Sequence, residues 1–92
     1  MAKVTESTTF TSATAGNSVS ANGDFNLHVD FTNGSGVGTV ALQRSYDGST
    51  WYNIESYTAD TFKIVENPEG GVKHRLNCTA YTSGSIFGRI SN

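Results

Sequence analysis

Residues 24–31 read Asp-Phe-Asn-Leu-His-Val-Asp-Phe, and this stretch decides the class of the fold. Every second residue in it is apolar: Phe25, Leu27, Val29 and Phe31. A period of two residues is the pattern of a β-strand that buries one face and exposes the other. The stretch therefore predicts a half-buried strand.

Similar short runs fill the chain on both sides of this stretch, and turn residues separate them. The runs lie at 39–46, 51–55, 61–66, 72–81 and 85–91, with a weaker one at 8–11. The segments between them hold the Gly, Asp, Asn, Pro and Ser that turns prefer, as at 47–48, 67–71 and 82–84. Strands at this spacing leave no room for crossover helices. We predict one all-β domain, an antiparallel β-sandwich of immunoglobulin-like or jelly-roll type with no significant helix.

The composition excludes several other classes of protein. Thr, Ser, Gly and Asn supply 41 of the 92 residues, whereas Leu and Met supply only 4, so a helical bundle is excluded. One Pro and one Cys exclude a collagen-like chain and a disulfide scaffold, and no apolar run is long enough for a membrane span. The net charge is −2 without a basic block, so we expect neither a nucleic-acid nor a membrane partner.

The first part of the chain is poor in core residues. Residues 1–23 hold Val4, Phe10 and Val19 as their only bulky apolar residues. We predict an N-terminal arm over residues 1–16 that a neighbouring subunit orders, followed by a β-sandwich domain over residues 17–92. The alternative is a loosely packed terminus. Because the start of the chain lacks a signal-peptide pattern and Cys78 has no partner in the chain, we expect synthesis in a reducing cytoplasm.

The residues that could carry chemistry do not form a catalytic or metal-binding set. His74 and Cys78 are four apart on one predicted strand, so their Cα atoms lie roughly 13 Å apart, too far to share an ion. His28 lies opposite the apolar face of its strand. The glycine-rich stretch 34–38 leads into a strand and not a helix, so it lacks the geometry of a phosphate loop. We predict no catalytic, cofactor-binding or metal-binding residue, no cofactor and no enzymatic activity.

Residues 45–51, Ser-Tyr-Asp-Gly-Ser-Thr-Trp, are the most distinctive segment. They resemble the Asp-box turn of sialidase-like propellers but are one residue short, and the chain has no blade repeat. We therefore predict a structural hairpin in which Asp47 accepts backbone N–H groups and Trp51 is buried behind the turn. The predicted core consists of Trp51 with Phe25, Leu27, Val29, Phe31, Leu42, Leu76 and Ile90.

Residues 38–51 resemble a segment of small structural proteins of tailed bacteriophages, through Leu42-Gln43-Arg44-Ser45, the Asp47-Gly48 turn and Trp51. The resemblance continues through 66–71, 74–76 and 79–84 and covers roughly residues 24–92, although His74 stands where Tyr is common. It implies a capsid decoration (cement) protein on the capsid surface of the virion. Such a protein binds the major capsid protein and is a homo-oligomer, with a trimer favoured.

Two other functions stay open. The same resemblance extends to tail and fibre components. Independently of it, the aromatic side chains of Tyr46, Trp51, Tyr52, Tyr57 and Tyr81 could form the platform of a carbohydrate-binding module.

Overall fold

The structure, a computed structural model, describes residues 5–20, 23–67 and 72–92. These residues form eight β-strands and no helix, so the predicted all-β class is confirmed. The predicted turn at 67–71 lies outside the described residues apart from Asn67. In chain order the strands are β1 (Thr5–Phe10), β2 (Val19–Ser20), β3 (Phe25–Asp30), β4 (Val37–Ser45), β5 (Tyr52–Tyr57), β6 (Thr61–Val65), β7 (Lys73–Ser83) and β8 (Ile86–Ser91).

The strands form two four-stranded antiparallel sheets that face each other as a β-sandwich. Sheet A has the order β1-β8-β3-β6, and sheet B has the order β2-β7-β4-β5. The first strand thus pairs with the last, the second with the seventh, the third with the sixth and the fourth with the fifth. A chain folded in half and then wound in this way is a jelly roll, one of the two sandwich types that the sequence leaves open.

The core lies between the sheets, and strand alternation fills it. Strand β3 buries every second residue, as the sequence predicts. Seven of the eight predicted core residues are buried: Phe25, Leu27, Val29, Phe31, Leu42, Leu76 and Ile90. They belong to one cluster that also includes Phe10, Val40, Cys78 and Ile86.

The prediction that Trp51 belongs to the core is wrong. Trp51 is only half-buried, and the guanidinium carbon of Arg75 lies 4.2 Å from the centroid of its ring. Arg75 alternates along β7 with the buried His74 and Leu76, so it points to the outer face of sheet B. The loop after β4 therefore brings Trp51 over the outside of sheet B, where a cation–π contact holds it.

The N-terminal stretch contains a strand of the chain's own sheet. Strand β1 pairs with β8 from Thr5 opposite Ser91 to Phe10 opposite Ile86. Phe10 has no exposed surface and packs in the core. The sequence predicts that this stretch is an arm poor in core residues, and the structure shows that Phe10 is nevertheless buried in the chain's own domain. The division of the chain at residue 16 stays a prediction.

Asp47 organises the turn between β4 and β5 as the sequence predicts. Its Oδ1 accepts the backbone N–H groups of Ser49 and Thr50, each at 2.8 Å, and the Ser45 hydroxyl at 3.1 Å. These hydrogen bonds lower the pKa of Asp47 to about 2, led by the bond from Thr50. Gly48 has a positive φ of 82°, which glycine adopts without strain.

Asp60 connects two loops that are far apart in sequence. One of its carboxylate oxygens accepts the backbone N–H of Phe31 at 2.7 Å, and the other accepts the Thr32 hydroxyl at 2.6 Å. The Thr32 hydroxyl and the Phe31 amide hold the pKa of Asp60 below its usual range. The loop between β5 and β6 is thereby tied to the loop between β3 and β4.

Gly88 makes room for a core side chain, and this gives a stability prediction. A Cβ at position 88 would lie 2.5 Å from Leu76 Cδ1 and 3.5 Å from Phe10 Cε2. We expect Gly88→Ala to lower the free energy of unfolding by about 1–3 kcal/mol, because overpacking displaces neighbours in a filled core. Denaturant unfolding measures the loss. Arg89→Ala, at the next position and facing outward, is the control, and equal losses in the two variants would contradict the packing account.

Candidate interaction surface

The outer face of sheet A carries the two most exposed large apolar side chains of the described residues. Phe62 is 75% exposed and Ile64 is 68% exposed, and both lie on β6, the edge strand of the sheet. They are two residues apart, so they project from the same face. Contiguous exposed apolar side chains are a feature of surfaces that bind another molecule.

Ring contacts extend this apolar pair across the sheet. His28 on β3 is paired in register with Phe62, and the ring centroids are 5.1 Å apart. On its other side, the His28 ring lies 6.2 Å from the ring of Phe87 on β8, in an edge-on arrangement. Arg89 is the residue of β8 directly opposite His28. We call the surface formed by His28, Phe62, Ile64, Phe87 and Arg89 the Phe62 face.

A cavity of about 290 Å³ opens on the Phe62 face. Its walls are the side chains of His28, Phe62 and Arg89, and its far end is formed by Asn26 and Ser91. No carboxylate among the described residues lines it. The guanidinium of Arg89 makes no hydrogen bond or ion pair with any residue that the structure describes. The cavity therefore combines the phenyl ring of Phe62, the imidazole of His28, neutral amide and hydroxyl groups, and an arginine without an ion-pair partner among the described residues.

An ion pair closes the sandwich beside this face, where the edge strands of the two sheets meet. Lys63 Nζ lies 2.7 Å from Glu55 Oε1, and the Tyr57 hydroxyl donates to the same oxygen at 2.7 Å. The Lys63 and Tyr57 hydrogen bonds lower the pKa of Glu55, while burial and the Glu55 carboxylate raise the pKa of Tyr57. A lysine on an edge strand disfavours pairing with a further strand. A partner is thus better placed on the face of β6 than along its edge.

The three residues considered for chemistry lie in different places. His28 is on the Phe62 face, whereas His74 and Cys78 point from β7 into the core and are buried. The Cys78 thiol donates to the Ala80 carbonyl at 3.3 Å, and burial raises its pKa. No three His, Cys, Asp or Glu side chains come together as metal ligands within residues 5–20, 23–67 and 72–92.

The glycines of 34–38 serve close packing. Ser85 donates its backbone N–H to the Gly34 carbonyl at 3.0 Å, and a Cβ at Gly36 would lie 2.6 Å from Ile86 Cγ1. The loop is thereby pressed against the start of β8. It leads into strand β4, as the sequence predicts.

The five aromatic residues considered for a carbohydrate platform are dispersed. Tyr57 is buried, and Trp51 and Tyr81 are half-buried. Tyr46 and Tyr52 are exposed, with ring centroids 6.2 Å apart and planes inclined by 51°. The structure thus brings two of the five rings together, and their tilt prevents one flat sugar face from stacking on both.

The Phe62 face is the part of the molecule that sequence reasoning missed. Alternation predicts that Phe62 and Ile64 share one face, but not that this face is exposed. Val65, the next residue, is buried on the opposite face, which it shares with Thr61 and Lys63, so each face of β6 holds at least one apolar residue. A short strand with apolar residues on both faces is the signal that could have identified the surface. No pattern in the sequence around Arg89 indicated that it belongs to this surface.

No family model matches the chain, and no curated protein matches it. Among solved structures, the chain is similar to the Yersinia pseudotuberculosis-derived mitogen YPM, with a TM-score of 0.55 and 16% sequence identity. The likeness covers 99% of this chain and 85% of the mitogen, and it shows the fold alone. The described residues contain no helix long and apolar enough to cross a membrane.

Proposed function

We propose that the chain is a non-enzymatic structural protein of a tailed-phage virion, a decoration protein that binds the assembled capsid through the Phe62 face. The observation that carries the proposal is the exposed pair Phe62 and Ile64. These two apolar side chains lie next to each other on the outer face of sheet A, where a partner can bury them. The resemblance of residues 38–51 to small phage structural proteins supplies the class of partner. Jelly rolls also occur in viral capsid proteins, which is a fold-level analogy only.

The energetics of the Phe62 face suit repeated binding to a symmetric shell. Full burial of one large apolar side chain contributes about 1.5–3 kcal/mol. Aromatic and arginine side chains are also enriched at protein interfaces, and the face holds both. The binding free energy of such a contact is modest for one subunit, but a symmetric shell offers the same contact at every equivalent position. Binding to the assembled shell then stabilises that state by mass action.

The proposal includes a homo-oligomer, with a trimer favoured. Its motivation is the size of the domain, because small cores without a disulfide or metal often depend on subunit contacts. Light scattering on the isolated protein gives the number of subunits. If the protein is a monomer at the concentrations at which it binds capsids, the proposed homo-oligomer is wrong.

The experiment removes the apolar pair and measures binding to empty capsids of the encoding phage. We expect Phe62→Ser with Ile64→Ser to weaken binding by about 30-fold or more, which is the effect of losing a hot spot of about 2 kcal/mol. Co-sedimentation of purified protein with empty shells measures it. Because both side chains are already exposed, the thermal unfolding midpoint should hardly change.

Val37→Ser with Ile54→Ser is the matched control. It also replaces two exposed apolar side chains, 52% and 43% accessible, but on strands of sheet B. We expect less than a twofold change in binding. If the two double variants bind equally well, the Phe62 face is not the binding surface.

The alternative within the same resemblance is a tail or fibre component. The genes next to the coding sequence discriminate the two, because a neighbouring major capsid gene favours decoration and neighbouring tail genes favour the tail. Binding to purified tails but not to empty capsids would likewise assign the chain to the tail.

A further inference from the structure

We propose that the cavity on the Phe62 face is a carboxylate-binding pocket that takes an Asp or Glu side chain from an extended segment of the shell protein. This inference rests on the proposed function and names the chemistry of the partner. It assigns separate roles to the two parts of the face. Phe62 and Ile64 supply apolar contact, and Arg89 selects an acidic side chain.

The charge of the cavity points to an anion. Arg89 is the permanently charged residue in its lining, and its guanidinium has no partner among the residues described. The nearest acidic side chain on the same face of β3 is Asp30, which is already engaged by the backbone and side-chain amides of Asn33 at 3.1 and 2.6 Å. A planar guanidinium matches a carboxylate with two parallel hydrogen bonds.

The walls of the cavity strengthen such a bond once a partner covers it. The phenyl ring of Phe62, which packs against the His28 imidazole, forms an apolar side next to Arg89. Excluding water from this side lowers the local dielectric, which increases the attraction between guanidinium and carboxylate. At the other end, the Asn26 amide and the Ser91 hydroxyl can bond to the main chain of the same partner segment.

The size and surroundings of the cavity favour one protein side chain. Its volume of about 290 Å³ lies at the lower limit of pockets that hold small-molecule ligands. Phe62 and Ile64 stand beside it and offer apolar contact for neighbouring residues of a longer segment. The ion-paired Lys63 on β6 disfavours strand addition at the edge, so the segment crosses the face.

The first arm of the test uses empty capsids of the encoding phage. We expect Arg89→Gln to weaken binding by at least about tenfold and Arg89→Lys to weaken it less, because lysine keeps the charge but not the paired hydrogen bonds. Lys73→Gln, an exposed position on β7 of sheet B, is the matched loss of one positive charge and should change binding less than twofold. If Arg89→Gln binds as the wild type does, the pocket proposal is overturned, while binding through Phe62 and Ile64 stands.

The second arm needs no capsid and separates the two proposals. N-acetyl-aspartate N-methylamide, its asparagine counterpart and sodium glucuronate are titrated against the wild-type chain, with amide chemical shifts as the readout. We expect saturable shifts at residues 26, 28, 62, 89 and 91 with the aspartate compound, and none with the asparagine compound or with Arg89→Gln. If the wild type ignores capsids but shows these shifts, the carboxylate pocket stands without the shell. Absent shifts overturn the pocket, and tighter binding of glucuronate would make it a sugar site and overturn the protein partner.

Discussion

Phe10→Ala is expected to lower the free energy of unfolding by about 3–5 kcal/mol, the usual cost of deleting a buried phenylalanine side chain. Phe10 is the last residue of β1, has no exposed surface and contacts the core from the end of an edge strand. In a domain whose total stability is of the order of 5–15 kcal/mol, this loss is a large fraction. Urea unfolding of the isolated protein measures it.

Phe62→Ala is the matched control, because it makes the same chemical change on an edge strand of the same sheet. Its side chain is largely exposed, so the expected loss is about 0.5 kcal/mol or less. If both variants unfold at the same urea concentration, Phe10 is not held in the core of its own chain. That outcome would favour the predicted arm, whose side chains are ordered by a neighbouring subunit. Deleting residues 2–16 removes β1 and Phe10 together, so with this structure it should destabilise the domain as well as any assembly.

The second large effect is a loss of stability in mild acid, caused by His74. The imidazole has no exposed surface and lies 4.8 Å from the Phe25 ring, centroid to centroid. Arg44 donates its Nε–H to Nε2 at 3.4 Å, so the neutral ring carries its proton on Nδ1. Nδ1 makes no hydrogen bond of ordinary length and angle to the described residues. Burial, and then the charge of Arg44, hold the pKa of His74 at about 4, below its usual 6.5, with the Val72 backbone opposing the shift.

The sign of the pH effect follows from which state binds the proton. Between pH 6.5 and pH 4 the unfolded chain takes up a proton at His74 that the folded chain does not, so folding becomes less favourable as the pH falls. The stability is complete above pH 6.5, and we expect about 2–3 kcal/mol to be lost by pH 4. The lowered pKa values of Asp47, Glu55 and Asp60 act only below about pH 4.5, because their unfolded values are 3.8 to 4.5. The range from 6.5 to 4.5 therefore reports on His74.

His74→Phe is the test variant, since a phenyl ring keeps the contact with Phe25 and cannot titrate. Urea unfolding at pH 7 and at pH 5 should give nearly equal stabilities for this variant and clearly different ones for the wild type. His28→Gln removes the other imidazole, and this variant should still lose stability between pH 7 and pH 5. An acid loss that persists in His74→Phe would assign it to other groups.

The strands and most of the core were predictable because their signal is local. Alternation over Phe25 to Phe31 and from Ile86 to Ile90 follows from the geometry of a single strand. The strand order was not predictable, because the pairing of β1 with β8 depends on contacts between the two ends of the chain. Trp51 was misplaced for a related reason: its size predicts burial, but the turn at Asp47 directs it outward.

The binding surface was less predictable than the core. Val65 and Ile64 are both apolar neighbours on β6, and nothing in the local pattern says which of them faces the other sheet. The register with β3 decides it, because Val65 pairs with the buried Phe25 and Ile64 pairs with Asn26 on the outer face. The cavity was still harder to predict from the sequence. Its lining comes from β3, β6 and β8, which become neighbours only through the strand order of the jelly roll.

The pairing of the first strand with the last also constrains how the protein folds during synthesis. Of the eight strands, β1 leaves the ribosome before the others, whereas its partner β8 leaves after them. Strand β8 also lies between β1 and β3, so sheet A cannot close before β8 has been translated. Sheet B, which contains no part of β8, can form earlier around the hairpin of β4 and β5. Until β8 is available, Phe10 stays without its core, and a nascent chain in this state is open to association with other nascent copies.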